Sequence, residues 1–353
     1  MEQPNAPRVK AEKIVIRASS SDWPPEALET LDGCPLCGAA ERTLVHASLQ
    51  DRIFGASGNW QMWQCIRCAS GYLDPRPNEA NIGQAYQIYY THKPNTSEQP
   101  GTFSAEVRTA LANDYRNCRY GTERRPVIPG GRLLAGLIPA LAAPIDQTFR
   151  FLPTGSRGRR LLDVGCGSGD FLALAAEAGW LAVGTEPDPA ARDQGRRRGF
   201  DVYESLEDLT AEVPFDAITL NHVIEHVHRP DEVLVRCATL LRPGGQIFVA
   251  TPNMLALGHH LWGEDWRGLE PPRHLVMFTP ESLTHAVRAA GFVGMRLLPT
   301  PGGLQSLWEE SQAIRKARNA DLPSPSSPKA AIGRAAQHDD RREFLVLLAQ
   351  RAA

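Results

Sequence analysis

LLDVGCGSGD, residues Leu161–Asp170, runs from an aliphatic stretch into an acidic residue and then places three glycines, Gly165, Gly167 and Gly169, at alternate positions. A near-continuous aliphatic run is the pattern of a buried parallel strand. Glycines directly after it let the backbone turn sharply and approach a ligand before a helix begins. FLALAAEAG, which follows, supplies that helix. Strand, Gly-rich turn and helix N-terminus in this order are how doubly wound α/β folds build a nucleotide site.

The spacing decides which nucleotide. A dinucleotide fingerprint needs glycine at 165, 167 and 170, and the last of these is Asp170. A carboxylate at the helix start repels a pyrophosphate seated on the same N–H groups, which disfavours NAD and FAD. At the end of the next strand, LAVGTEPD, Glu186 lies 21 positions after Gly165 and is suited to accept hydrogen bonds from ribose hydroxyls. An adenosine-bearing ligand without phosphates satisfies both observations.

On these residues the chain resembles the class I S-adenosylmethionine-dependent methyltransferases, from about residue 158 to 300. FDAITLNHVIEHV (Phe215–Val227) looks like the family's segment lining the cofactor and substrate pockets, and LLRPGGQIFVATPN (Leu240–Asn253) like its turn into the fifth strand. The resemblance implies cofactor contacts from Asp163, Gly165, Gly167, Gly169, Glu186 and Asn221. Cys166 is expected as a small residue beneath the cofactor.

A second motif lies upstream. Cys34-Pro-Leu-Cys37-Gly and Cys65-Ile-Arg-Cys68 are CxxC pairs separated by 27 residues. Two such knuckles bring four thiolates around one tetrahedral zinc, and a site filled by four sulfurs has no position left for water, so the expected role is structural. MEQPNAPRVKAEKIVIRASS lacks the long apolar core of a secretory signal, which points to a reducing, cytoplasmic setting. Cys118, Cys166 and Cys237 are scattered and imply no disulfide framework.

The 353 residues suit one large domain with small additions, and a net charge of -2 gives no general attraction to nucleic acid. The most apolar stretch, LLAGLIPALAAPI (Leu133–Ile145), is broken by Pro139 and Pro144 and is too short to span a membrane. Core packing is its expected role.

The fold expected is α/β: a Rossmann-like seven-stranded methyltransferase sheet with an N-terminal zinc ribbon and a helical connecting region. The boundaries are a tail at 1–30 with a short strand at Lys13–Arg17, the ribbon at 31–77, a helical connection and lid at 78–157, and the methyltransferase domain at 158–353. Strands are predicted at 159–164, 181–186, 201–204, 215–222, 246–251, 292–299 and 343–350, the last entering antiparallel between the fifth and sixth. Residues 304–340, with LPSPSSPKAA, read as a flexible insertion.

Methyl transfer from a sulfonium is an in-line displacement, so a weakly nucleophilic acceptor needs alignment and a base. His222, Glu225 and His226 follow the fourth strand, and His274 lies in EPPRHLVMFTPESL. His226, His274 and His222 are the candidate catalytic residues. His222 and His226 lie four apart with Glu225 between them, so the alternatives to a histidine base are a divalent ion at His222/Glu225/His226 and a His226 that only caps a buried hydrogen-bond network. The segment is similar to that of ubiquinone-biosynthesis O-methyltransferases, whose metal pattern has Glu where this chain has His222, a departure that counts against the ion. Arg273 is a candidate reader of an anionic or hydroxylated substrate, and Trp262 and Trp266 are either aromatic walls for an acceptor or core anchors. The function expected is methylation of a small-molecule acceptor (sugar, secondary metabolite or quinone-like) at oxygen or carbon. The alternatives are a non-catalytic cofactor-binding interaction protein and a nucleic-acid or protein methyltransferase. Asn221-His222-Val223-Ile224 does not resemble the proline-rich tetrapeptide of amino-methylating nucleic-acid enzymes.

Overall fold

The computed structural model describes residues 23–86, 103–155, 157–210, 213–299, 304–318 and 339–353. The expected strand at Lys13–Arg17 and the LPSPSSPKAA tract lie outside them.

The N-terminal part is a small antiparallel unit of β1 (Leu28–Glu29), β2 (Arg42–Leu49), β3 (Trp60–Cys65), β4 (Gly71–Leu73) and β5 (Arg76–Pro77). Three helices follow: α1 (Phe103–Tyr120), α2 (Gly131–Leu137) and α3 (Pro139–Thr148). The alternating region then runs β6 (Arg160–Val164), α4 (Asp170–Glu177), β7 (Leu181–Thr185), α5 (Pro189–Arg197), β8 (Asp201–Tyr203), β9 (Phe215–Asn221), α6 (Pro230–Leu240) and β10 (Leu241–Pro252). It closes with α7 (Leu257–Trp262), β11 (Val276–Met277), α8 (Pro280–Ala289), β12 (Phe292–Leu297), α9 (Leu304–Ala317) and β13 (Phe344–Arg351).

Seven strands form one sheet in the order β12-β13-β10-β9-β6-β7-β8. β6, β7, β8, β9 and β10 pair in parallel, while β13 enters antiparallel between β10 and β12. This is the predicted plan, because aliphatic strands separated by helix-length segments must bury both faces under helices. Leu162 and Val164 pack on one face with Leu234, Leu240 and Leu283. Leu161 packs on the other with Phe171, Ala175, Tyr120 and Phe149.

Three expectations change. Within the 78–157 region expected as connection and lid, the helices at 103–148 pack on the sheet face beside Leu161, and among its described residues Ile82, Gly83 and Tyr86 line the cavity below. The apolar segment of α2 and α3 is not core: Leu133, Leu137, Ile138 and Leu141 are exposed. The start of the supposed flexible insertion is helix α9, whose Trp308, Ser311, Ile314 and Arg315 are buried. Apolar residues three and four apart in this stretch give the helix its inward face.

The four-cysteine unit is fused to the α/β region. β11, from the α/β region, adds to its sheet beside β4 in the order β11-β4-β3-β2. Trp23, Trp60 and Met62 share one apolar cluster with Met254, Trp262, Trp266 and Trp308. Trp262 and Trp266 are thus core anchors, each about 2 % exposed, and Trp266 donates its indole N–H to Glu343 at 2.8 Å.

Candidate active site and metal centre

The strand-to-helix turn after β6 behaves as the glycines require. Gly165, Gly167 and Gly169 have φ of 66°, 55° and 85°. At Gly165 a Cβ would also come within 2.6 Å of Val223 Cγ2, so only glycine fits between this turn and the segment after β9. Glu186, just beyond β7, reaches back to the same turn. Its carboxylate accepts hydrogen bonds from Gly167 N–H at 2.8 Å and Asp188 N–H at 3.0 Å, and burial pushes its pKa up. The two adjacent turns are thereby tied together at the carboxyl edge of the sheet.

A cavity of about 1030 Å³ opens there. Gly165, Gly167, Glu186 and Leu206 line one end, and Tyr86, His222, His226, His274, Leu307 and Phe344 line the other. Ligands of open α/β sheets collect beyond the strands' carboxyl ends, where this cavity lies.

Four residues expected at the cofactor lie outside this lining. Asp163 points to the opposite face from Leu162 and Val164 and is fully buried. It pairs with Arg150 and accepts a hydrogen bond from Thr219 Oγ1 at 2.8 Å. Burial pushes its carboxyl up, opposed by the Arg150 guanidinium. Strand alternation explains the misreading, since an acidic residue entering a Gly-rich turn can face either side of the sheet. Cys166 packs with Leu172 and Val202, and burial pushes its thiol up. A Cβ on Gly184 would strike its Sγ at 2.4 Å, so Cys166 fills space beneath the turn. Asn221 closes β9 without lining the cavity, and Gly169 caps α4, also outside the lining.

The histidines do converge. His222, at φ 55°, gives its Nδ1 proton to Glu225 Oε1 at 3.2 Å. His226 Nδ1 donates to the Arg273 carbonyl at 3.0 Å, with the Tyr86 hydroxyl 3.1 Å from the same nitrogen. His274 Nδ1 donates to the Gly268 carbonyl at 2.8 Å. Each ring is therefore held through Nδ1, leaving Nε2 for the cavity. Burial and the neighbouring His226 bring His274 down to about 4. Burial would raise Glu225, but His222, His226 and His274 around it hold its carboxyl down at about 2. Ligand atoms of Glu225, His226 and His274 lie within 4.8 Å of one another, and Glu225 Oε2 is buried with no hydrogen-bond partner among the described residues. The set gathered for a divalent ion thus contains His274 where the sequence pointed to His222.

Arg273 is fully buried and serves scaffolding instead of substrate recognition. It donates to Asp51 Oδ2 at 2.8 Å and to the Ala85 carbonyl at 2.9 Å, pinning the cysteine unit and Tyr86 against the His274 loop. Tyr86, Arg267, Leu307 and Glu310 are cavity residues that sequence reasoning missed. Helical periodicity in 304–317 was the available signal for Leu307 and Glu310.

The two cysteine knuckles match in detail. Gly38 N–H donates to the Cys34 carbonyl at 2.8 Å and Ala69 N–H to the Cys65 carbonyl at 3.0 Å. Gly38 and Ala69 both have left-handed φ, 70° and 59°. The Sγ atoms of Cys34 and Cys68, and of Cys37 and Cys65, are 3.5 Å apart, and all four lie within 4.8 Å. Four sulfurs bound about 2.3 Å from one zinc sit at nearly such separations, so the donor set fits the metal.

A parallel sheet with a glycine turn and an acidic partner at the end of the next strand is the arrangement of nucleotide-binding α/β folds. Residues 139–296 match the family described as a methyltransferase domain. The ubiquinone biosynthesis O-methyltransferase of Xanthomonas euvesicatoria pv. vesicatoria (strain 85-10) is 38% identical over 105 residues, 27% of this chain and 44% of that protein. The enzyme of that name from Klebsiella pneumoniae subsp. pneumoniae is 37% identical over 108 residues, 28% of this chain and 45% of that protein. The chain thus spans less than half the length of these curated relatives. Among solved structures, a SAM dependent methyltransferase from Archaeoglobus fulgidus aligns with TM-score 0.41 at 21% identity, covering 61% of this chain and 94% of that one. The similarity to methyltransferases thus rests on the α/β region, residues 139–296.

Proposed function

We propose that this protein transfers a methyl group from S-adenosylmethionine to a small-molecule acceptor. The observation that carries the reading is Glu186: a buried carboxylate on the cavity wall, bonded to Gly167 N–H, with acceptor capacity left for a ribose. S-adenosylmethionine supplies an electrophilic methyl group on a sulfonium. Gly165 and Gly167 allow its close approach, Glu186 holds the ribose and Leu206 packs on the adenosine end. His222 is the general base, because the Glu225 carboxylate fixes its tautomer and leaves Nε2 for an acceptor hydroxyl. His274 is the weaker base, since burial keeps it neutral down to about 4. A second reading, favoured by the orphaned Glu225 Oε2, is a divalent ion held by Glu225, His226 and His274 that orients the acceptor.

Cys34, Cys37, Cys65 and Cys68 hold a structural zinc, and the ribbon at 31–77 works as one unit with the domain at 158–353. The seven cysteines form no disulfide, which favours a reducing, cytoplasmic setting. Among the described residues no helix is long and apolar enough to cross a membrane. The test is calorimetric binding of S-adenosylmethionine and S-adenosylhomocysteine with NAD as control, followed by an acceptor screen with and without EDTA. Binding of the first two alone is expected. Silence toward both would favour an interaction protein, and strongly salt-dependent affinity for RNA or DNA would favour a nucleic-acid enzyme.

A further inference from the structure

We propose that Glu310 on α9 sets the charge of the methyl acceptor: by pairing with Arg267 it makes the site take uncharged molecules and turn away carboxylates and phosphates. This rests on the methyltransferase reading above.

Among the described residues that line the cavity, Arg267 is the only arginine or lysine; of the six lining carboxylates, Glu270 and Glu310 stand beside it, and Glu186, Asp188, Glu204 and Glu207 belong to the other end. That one cation is already committed. Arg267 Nε donates to Glu310 Oε2 at 2.6 Å, and the same guanidinium pairs with Glu270. Its backbone N–H donates to Ser311 Oγ at 2.9 Å, which locks the loop to α9. Arg267 thus stands between two carboxylates, and Arg273 Nε also donates to Glu270 Oε1 at 3.2 Å.

An anionic acceptor entering the His222 end would lose its hydration beside Glu270 and Glu310, which already share the one guanidinium there. A hydroxylated, uncharged molecule meets no such penalty. It still finds the imidazoles of His222 and His226 and the apolar sides of Leu307 and Phe344. The placement of Glu310 is enforced from the helix's other face. Trp308 stacks edge-on against Trp262 with centroids 5.4 Å apart, and Arg315 Nε donates to Asp265 at 3.0 Å. Positions 307 and 310, three apart, then fall together on the cavity side. Arg267 arrives from the excursion between β10 and β11 and Glu310 from that between β12 and β13. The second lies outside the 139–296 stretch that matches the family.

The experiment measures binding of matched pairs, catechol with protocatechuate and glucose with glucuronate, to the protein saturated with S-adenosylhomocysteine. In the wild type the neutral member of a pair binds more tightly by about tenfold or more. Glu310→Gln narrows that gap to about threefold or less by releasing one contact of Arg267, and Glu310→Asp, which keeps the charge, preserves it. Tighter binding of an anionic member in the wild type, or a gap that Glu310→Gln leaves unchanged, overturns the proposal. Failure of S-adenosylhomocysteine itself to bind counts against the methyltransferase reading instead, so the two failures are separable.

Discussion

The two ends of the cavity are built in contrasting ways. The cofactor end comes from successive strand-to-helix turns between Gly165 and Leu206, all within one stretch of some forty residues. The acceptor end is assembled from the Ile82–Tyr86 turn, the His222–Val227 segment, the Arg267–His274 loop, α9 and Phe344. Local chain geometry suffices for the first, whereas the second exists only once the cysteine unit, the sheet and α9 have packed together. The first end therefore rests on local chain geometry and the second on tertiary packing.

The largest effect should come from Asp163→Ala. It strands Arg150 in the interior and is expected to cost about 3–5 kcal/mol in denaturant unfolding, while the folded fraction keeps its cofactor affinity. A loss of affinity without loss of stability would return Asp163 to the cofactor end. Next, His222→Ala should reduce turnover by about 10²–10⁴ with S-adenosylhomocysteine binding unchanged, read from steady-state kinetics on the best acceptor of the screen. Unchanged turnover would move the base to His226 or to a bound ion.

Cys34→Ser probes whether the acceptor end depends on the ribbon. It should release zinc in metal analysis and lower a single calorimetric transition by roughly 5–10 °C, because Trp60 and Trp262 share a core. Two separate transitions would show the units to be independent. Glu186→Ala acts on the other end alone. Losing hydrogen bonds to a charged group is worth about 1.5–3 kcal/mol, so cofactor affinity in calorimetry should fall by roughly 10–100-fold with little change in melting.

The smallest effect concerns pH. His46 and His274 are lowered from 6.5 to about 4 when folded, chiefly by burial. The unfolded chain therefore takes up protons before the native one does as pH falls, and stability should decline between about pH 6.5 and 4. His46 donates to His259 Nε2 at 2.8 Å, since His259 Nδ1 is spent on the Met254 carbonyl. His46→Phe should flatten the dependence of melting temperature on pH across that window, and an unchanged slope would remove this contact between ribbon and α7 from the account.

Much of the architecture was readable because its causes are local. Aliphatic runs at β6 and β9, the glycines after β6 and the acidic end of β7 each encode their own conformation. Asp163 was misassigned because its residue type fits both a binding turn and a buried ion pair, and only the strand's facing separates them. The α9 helix was hidden by the composition around it. Its fourteen residues show an inward face at Trp308, Ser311 and Ile314 only when read apart from the Pro- and Ser-rich tract that follows.

The chain's own sequence determined the parallel sheet, the glycine turn with Glu186, and the paired cysteine knuckles, since backbone sterics, side-chain periodicity and short ligand spacings act over a few residues. Tertiary structure alone decided the acceptor end. Arg273 meets Asp51 across 222 positions, and Arg267 meets Glu310 across 43. Such partners are chosen by which charges packing brings together in a water-poor interior, where each must find a counter-charge, and no local pattern announces the choice.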